Sequence, residues 1–257
     1  MNLYESEQYL NEYLFFHYGD PKEFCPYRFA PKEALNFQRR LVRESLLPLR
    51  FPSPTRGLDV GCAVGRATFE LARIVDQALG IDNSRSFISA ARRMARKHSL
   101  KIQVKEVGEI FSKPTITLPK YLRDVRVKFR VGDAQDLRSF PRQKFHVVLA
   151  INLIDRLPNP ARFFANLFAL DLLVPGGQLV IASPYTWMEE YTPRSKWLGG
   201  IKHLEPHFID GLLRPFFRLV RRCDLPFLIR EHRRKYQWCV SEVSTYVRKG
   251  ADAGTFA

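Results

Sequence analysis

Between positions 59 and 66 the chain runs Asp-Val-Gly-Cys-Ala-Val-Gly-Arg, a short apolar segment that breaks into a turn with glycine at 61 and again at 65. Such a turn at the carboxyl end of a strand lets a ligand lie close against the backbone. Asp82 stands 21 positions beyond Gly61, at the end of the next apolar run. A carboxylate there can accept both ribose hydroxyls of an adenosine. Asp133, in Val-Gly-Asp-Ala after a third apolar segment, is placed to hold an adenine edge. The chemistry these residues can do is nucleoside binding. A dinucleotide would need G-x-G-x-x-G, the second glycine admitting the pyrophosphate. Those three positions hold Gly61, Ala63 and Arg66. The phosphate loop G-x-x-x-x-G-K-[ST] is absent too.

The elements that must position these residues follow from periodicity. Helical spacing of Leu10, Tyr13, Leu14 and of Leu35, Leu41, Val42 predicts helices over 1–20 and 32–50, and Pro48, Pro52 and Pro54 end that region. Strands are expected at 57–61 and 78–82, with a helix over 66–75 between them. Ser84 is an N-cap for a helix with Phe87, Ala91 and Met94 inward. Period-two alternation marks 125–133, a buried run marks 144–152, and a helix over 160–173 leads into a fifth strand ending near 185. Segments 216–223 and 235–247 close the pattern as two more strands. Residues 101–123 do not fit a tight connection and are expected to be an insertion. Repeated strand-helix units imply an α/β, Rossmann-like fold, here a seven-stranded, mostly parallel sheet with helices on both faces. The expected division is a helical cap over 1–56, the α/β domain over 57–249 and a flexible tail over 250–257.

Composition sets bounds. With 257 residues, 46% hydrophobic and 26% charged, the chain is expected to form one folded domain, and no apolar run approaches a membrane span. The acidic N-terminus is unlike a secretory signal. Four scattered cysteines without a CxxC pair point to reduced thiols in the cytoplasm. His203 and His207 bracket Pro206, which argues against a helical metal pair, so no metal is expected. The net charge of +15 raises nucleic acid as a partner. Its excess lies in 101–142 and 208–257, each with ten basic against five acidic residues, away from the glycine turn.

The turn D-x-G-x-A-x-G (59–65) resembles motif I of class I S-adenosylmethionine (SAM) methyltransferases, with Asp82 and Asp133 at the family's next two cofactor positions. The rarer strings resemble the methyltransferase of ovothiol biosynthesis, which N-methylates 5-thiohistidine. They are YLFFHYG (13–19), LDVGCAVGRATFELAR (58–73), GIDNS (80–84), NLIDRL (152–157), SPYTWMEEYTPRSKWLGG (183–200) and PFLIRE-xxRKYQW (226–238). They run from near the N-terminus to the last strand, and 183–200 is far more specific than motif I. In bifunctional members this domain follows an iron-dependent sulfoxide synthase. No such module fits this sequence, so the expectation is a stand-alone enzyme whose acceptor comes from a separate sulfoxide synthase and lyase.

The resemblance implies SAM as methyl donor and S-adenosylhomocysteine as product. The cofactor residues carried over are Asp59, Gly61, Cys62, Ala63, Gly65, Arg66, Asp82, Asn83, Asp133, Ala134 and Asn152; at Asn83 relatives more often have an aromatic. The imidazole nitrogen next to the side-chain carbon would attack the methyl in line, and a histidine-like ring with a pKa of roughly 6.5 is largely neutral at pH 7. Loops after the fourth and fifth strands face the methyl in this architecture. On them Arg156, or Arg230 further on, is expected to pair the substrate carboxylate and Asp155 or Glu189 its ammonium. Tyr185 or Glu189 would orient the ring nitrogen, with Asn152 alongside. Trp187 and Tyr191 either stack on the ring or pack the loop. His17 and Tyr18 are expected to contact the substrate, His17 either capping the site as part of an N-terminal lid or standing as a satisfied helix histidine. Another small-molecule N-methyltransferase is an alternative, and two readings further from this one stay open. One is an RNA or DNA methyltransferase, although the [DNS]-P-P-[YFW] pattern of base-amino methylation is replaced by Asn-Leu-Ile-Asp at 152–155. The other is a non-catalytic protein of the same fold.

Overall fold

The computed structural model describes residues 3–139, 143–201 and 205–250. A 3-10 turn (Leu3–Glu5) leads into helices α1 (Glu7–Tyr18), α2 (Pro21–Phe24) and α3 (Phe37–Ser45). Strand β1 (Arg56–Val60), α4 (Arg66–Leu71), β2 (Gln77–Asp82) and α5 (Arg85–Lys97) follow. Four short strands come next: β3 (Ser99–Lys101), β4 (Val104–Val107), β5 (Ile110–Ser112) and β6 (Thr115–Thr117). The chain continues through β7 (Val127–Val131), β8 (Phe145–Ile151), α6 (Pro160–Ala169), β9 (Leu173–Ser183) and α7 (Glu205–Leu213). It closes with the hairpin β10 (Phe217–His232) and β11 (Lys235–Arg248).

Seven strands form one sheet in the order β10-β11-β9-β8-β1-β2-β7. β7, β2, β1, β8 and β9 are parallel, and β11 runs antiparallel to β9. This is the Rossmann-like fold expected. Alternation along β8 shows why both faces need cover: Val147 and Leu149 pack with Phe37, Leu41 and Leu71 of α3 and α4, while Val148 and Ala150 pack with Phe163, Phe164 and Leu167 of α6. The direction of strand addition reverses between β1 and β8, so the carboxyl ends of β1, β2 and β8 converge on one crevice.

Several expectations need correction. The helix expected over 32–50 shortens to Phe37–Ser45, because Asn36 takes a left-handed conformation (φ 55°) after a 3-10 turn at Lys32–Ala34. The helices expected over 66–75 and 160–173 end at Leu71 and Ala169. β10 runs nine residues past the strand expected over 216–223. Its second half pairs with β11 beyond the reach of β9 and carries Phe227 and Ile229. The segment anticipated as an insertion is two nested hairpins, β3 with β6 and β4 with β5, beginning at Ser99. Leu100, Ile102, Val104 and Ile116 from it share a buried cluster with Leu14, Phe15 and Tyr18 of α1. The insertion is thus a bed for α1. His203 and residues 251–257 of the expected tail lie outside the described residues.

The first turn of the α/β unit is set by backbone sterics. Gly65 precedes α4 at φ 91°, and a Cβ there would sit 2.6 Å from the Phe129 ring of β7. Gly65→Ala is expected to lower the unfolding free energy by about 1–3 kcal/mol, from φ strain and overpacking together. A urea midpoint shift at unchanged m-value is the check.

Candidate active site

At the carboxyl ends of β1, β2 and β8 lies a cavity of about 500 Å³, within the range of small-ligand sites. Its floor is the turn after β1. Gly61 N–H and Cys62 N–H donate to the Ile81 carbonyl at 2.8 and 2.9 Å, which binds the turn to β2. Ala63, left-handed at φ 47°, donates its N–H to Asp82 Oδ2 at 2.9 Å, and Ser84 N–H donates to Asp82 Oδ1 at 2.9 Å. The Asp82 carboxylate is thereby fixed on the wall with lone pairs to spare for a diol.

Asp59, 1% exposed, accepts from Thr68 Oγ1 at 2.6 Å through Oδ2, and its Oδ1 is buried without a partner. Burial drives this carboxyl up to about 7, the Thr68 hydrogen bond opposing and the Asp82 charge adding to the rise. Burial likewise raises Asp82. Asn83, Asp133 and Ala134 join the same wall. Asn152, left-handed at φ 48°, sits at the end of β8, and Ser241 Oγ donates to its Oδ1 at 2.7 Å. That bond leaves the Asn152 amide N–H₂ for a ligand. The structure therefore brings Asp59, Gly61, Cys62, Ala63, Asp82, Asn83, Asp133, Ala134 and Asn152 to one cavity.

Gly65 and Arg66 of the expected cofactor set do not line it. Gly65 is a close-packing position. Arg66 is buried, pairs with Glu70 Oε1 at 2.8 Å and donates to the His17 carbonyl at 3.2 Å. Tyr18 is also off the cavity: its hydroxyl donates to the Val64 carbonyl at 2.8 Å. These residues hold α1 on the turn. His17 does line the cavity, with Nδ1 buried and unpartnered. Burial, reinforced by the Arg66 charge, pushes it down to about 3, so it is a neutral ring at any physiological pH.

The acceptor side holds more corrections. Asp155, Arg156 and Tyr191 line the cavity as expected, with Arg156 Cζ 5.1 Å from the Tyr191 ring centre. Asp155 is already engaged, accepting from Arg156 and Thr186 through Oδ2 and from Ser183 through Oδ1. Tyr185 turns away at φ 51°, and its hydroxyl donates to Glu242 at 3.2 Å. Glu189 is exposed and off the cavity, whereas its neighbour Glu190 lines it. Trp187 stacks on Trp197 at 6.1 Å within the loop. Arg230 is buried outside the cavity, paired with Glu106 at 2.6 Å and flat on Phe15. Sequence reasoning missed Tyr4, Tyr13, Phe16, Gln38, Phe87 and Glu190. For Tyr13 and Phe16 the only signal was an aromatic face on the first helix, which reads equally well as core.

Comparisons with known proteins agree with this geometry. Residues 58–181 match the family model described as a methyltransferase domain. With the strand order above, this match gives the chain the Rossmann-like fold of class I methyltransferases. Among curated proteins, a ubiquinone biosynthesis O-methyltransferase of Xanthomonas axonopodis pv. citri (strain 306) is 27% identical over 132 residues, 51% of this chain and 44% of that protein. The chain thus spans less than half the length of that relative. In structure, the N-methyltransferase NodS from Bradyrhizobium japonicum WM9, in complex with S-adenosyl-L-homocysteine, superposes with a TM-score of 0.54 at 15% identity, over 95% of this chain and all of that one. The [4+2]-cyclase SpnF superposes with a TM-score of 0.58 at 17% identity, over 96% of this chain and 94% of that one. The fold alone therefore does not fix the reaction.

SAM is the cofactor of the class I methyltransferase family, and the residues present fit it. Asp82 offers a carboxylate for the ribose diol, and the orphaned Oδ1 of Asp59 offers a buried acceptor for a cation. Gly61 keeps the turn clear, since a Cβ there would meet Leu153 at 2.7 Å.

Two outcomes follow. A bound cation favours the Asp59 carboxylate, so SAM binding draws a proton off a group that is protonated below about pH 7. SAM affinity is expected to rise up to tenfold per pH unit from pH 5.5 towards 7 and flatten above, and Asp59→Asn should flatten the whole profile. Calorimetry in buffers of differing ionisation enthalpy would register the released proton. Tyr185→Phe, in contrast, is expected to lose about 1 kcal/mol of stability while methyl-transfer turnover stays within twofold of wild type.

Proposed function

We propose that this protein transfers a methyl group from SAM to 5-thiohistidine, at the imidazole nitrogen adjacent to the side-chain carbon, giving ovothiol A. The observation that carries the reading is the placement of the most distinctive string in the sequence. Residues 183–200 supply Pro184, Glu190 and Tyr191 to the cavity that the glycine turn and Asp82 line from the other side. The two parts of the resemblance, cofactor and acceptor, thus meet at one site.

SAM supplies the methyl group when bound; the chain's own residues have to orient the acceptor. Arg156, although paired with Asp155 and Thr186, keeps its Nε–H and one Nη2–H for an amino-acid carboxylate, with Glu190 as the anion for its ammonium, in place of the Arg156-paired Asp155 and the off-cavity Glu189. Tyr191, Tyr13 and Phe16 offer flat surfaces to an imidazole. Neutral His17 and the Asn152 amide are hydrogen-bonding groups that can face ring nitrogens without adding charge. Positioning of this kind can contribute up to about 7–11 kcal/mol. The acceptor would come from a separate sulfoxide synthase and lyase. A reducing, cytoplasmic setting belongs to the same reading, because the acceptor and Cys25, Cys62, Cys223 and Cys239 are all free thiols.

The test is a methyl-transfer assay with SAM against 5-thiohistidine, histidine and bulk RNA. Product from 5-thiohistidine, with at least a hundredfold lower kcat/KM for histidine and none for RNA, is the expected result. Methyl in RNA, with affinity falling steeply as salt rises, would overturn it in favour of a nucleic-acid methyltransferase.

A further inference from the structure

Large apolar side chains left in water collect along one edge of the molecule, away from the cavity. Phe29, in the loop after α2, is 88% exposed. Ile110, at the turn of the β4–β5 hairpin, is 64% exposed, and Val107 and Phe111 on either side of that turn are exposed with it. Trp238 of β11 is exposed too. Hairpin turns and loops are normally polar, so a concentration of apolar groups on them marks a contact surface.

These segments are joined to one another. Arg233 N–H, in the β10–β11 turn, donates to the Glu106 carbonyl of β4 at 3.2 Å. The Arg233 carbonyl in turn accepts from the Tyr27 hydroxyl at 3.1 Å. The Tyr27 ring lies 5.3 Å from that of Phe29 and 6.3 Å from that of Tyr236. Trp238 follows Tyr236 by two positions, on the same face of β11. Phe29, the two hairpin turns and Trp238 thus make one continuous edge.

The edge is also basic. Arg28 stands beside Phe29, Arg233 and Arg234 occupy the β10–β11 turn, and all three are exposed. Lys105 lies across the β4–β5 hairpin from Phe111. Opposing charge comes from Glu109 in the β4–β5 turn and from Glu7 and Glu12 of α1, which border Phe111. Two further carboxylates are already matched, Glu231 by Lys235 at 2.7 Å and Glu106 by Arg230 at 2.6 Å.

We propose that this edge docks on the surface of an anionic lipid bilayer. Phe29, Val107, Ile110 and Phe111 enter the boundary between headgroups and acyl chains, Arg28, Arg233 and Arg234 pair with lipid phosphates, and Trp238 sits at headgroup level. The mixture of side chains favours lipid over other polyanions and over protein. Val107 and Ile110 offer no flat surface on which a base could stack, as single-stranded RNA would require. The core of a protein interface is depleted in charge, whereas here arginines stand between the apolar groups. The inference goes beyond methyl transfer and does not depend on the acceptor. It gives the insertion a second use besides bedding α1.

The test is sedimentation of the full chain with sucrose-loaded vesicles of phosphatidylcholine, with and without phosphatidylglycerol, at low and high salt. Partition at low salt should be at least tenfold higher with the anionic lipid, and should fall about tenfold at high salt. Phe29→Ser combined with Ile110→Ser should lower it at least tenfold. Arg233→Glu combined with Arg234→Glu should remove the preference for phosphatidylglycerol. Phe208→Ser, which removes an exposed apolar side chain on α7, should sediment as the wild type. Brominated lipid should quench tryptophan emission in the wild type and much less in Trp238→Phe. Far-UV circular dichroism checks that each variant is folded, and no step reads turnover, so a wrong acceptor leaves the test intact. Equal partition with and without phosphatidylglycerol overturns the proposal, as does equal partition of the Phe29/Ile110 variant and the wild type. Absence of vesicle binding overturns it as well. Retention of single-stranded RNA, or self-association, lost in the same variants would then assign the edge to that partner instead.

Discussion

The buried guanidinium of Arg66 is the joint on which the site depends. It stands at the first position of α4, directly after the glycine turn, and makes two bonds to Glu70 Oε1 one helical turn on. Its remaining arm donates to the carbonyl of His17, which lines the cavity beside Tyr13 and Phe16 of α1. Tyr18, under the same guanidinium at 5.8 Å, returns a hydrogen bond to Val64 inside the turn. Removing one partner of a buried pair leaves the other charge without compensation, at a cost of about 3–5 kcal/mol. Helix α1 is therefore attached to the turn after β1 by Arg66, which starts α4, and by Tyr18. The insertion holds the far side of α1, so that helix is fixed from both edges and its inward residues become walls of the cavity.

Local rules account for what the sequence disclosed. The β1–α4–β2 unit carries its own signals: a short apolar strand, glycines where φ turns positive, and a carboxylate at the next strand's end. Ser84 caps α5 by accepting from Phe87 N–H at 3.1 Å, a bond its type and position predict. The second half of β10 was hidden by Pro226, a strand breaker in general. β10 is the edge of the sheet, and a proline is tolerated there because one side of an edge strand needs no donor.

The acceptor side was legible in composition but not in orientation. Whether Tyr185 or Tyr191, Glu189 or Glu190, faces the cavity is decided by the left-handed backbone at Tyr185 and the turn after it. Tyrosine pays a steric penalty at positive φ, so nothing in its type foretells that conformation. Arg230 was misplaced for a related reason: strand alternation could have sent it either way, and only Glu106 on the insertion settles which. Tyr4 and Tyr13, nine positions apart, meet because the first turn folds back onto the start of α5, a long-range contact that no periodicity encodes.

The net charge of the chain and the sign of its cavity differ for a physical reason. The chain carries +15, yet the cavity wall holds Asp59, Asp82, Asp133, Asp155 and Glu190 against Arg156. Much of the basic excess sits on the insertion and the terminal hairpin, partly matched there by Glu106, Asp210, Glu231 and Glu242. A crevice with low-dielectric walls focuses the sign of its own lining rather than that of the whole molecule. The interior is therefore set for cations, and SAM, with a sulfonium and an ammonium, is such a ligand. A polyanion would be drawn to the outer surface and meet carboxylates at the mouth. Against these carboxylates Arg156 is the one guanidinium among the described residues that line the cavity.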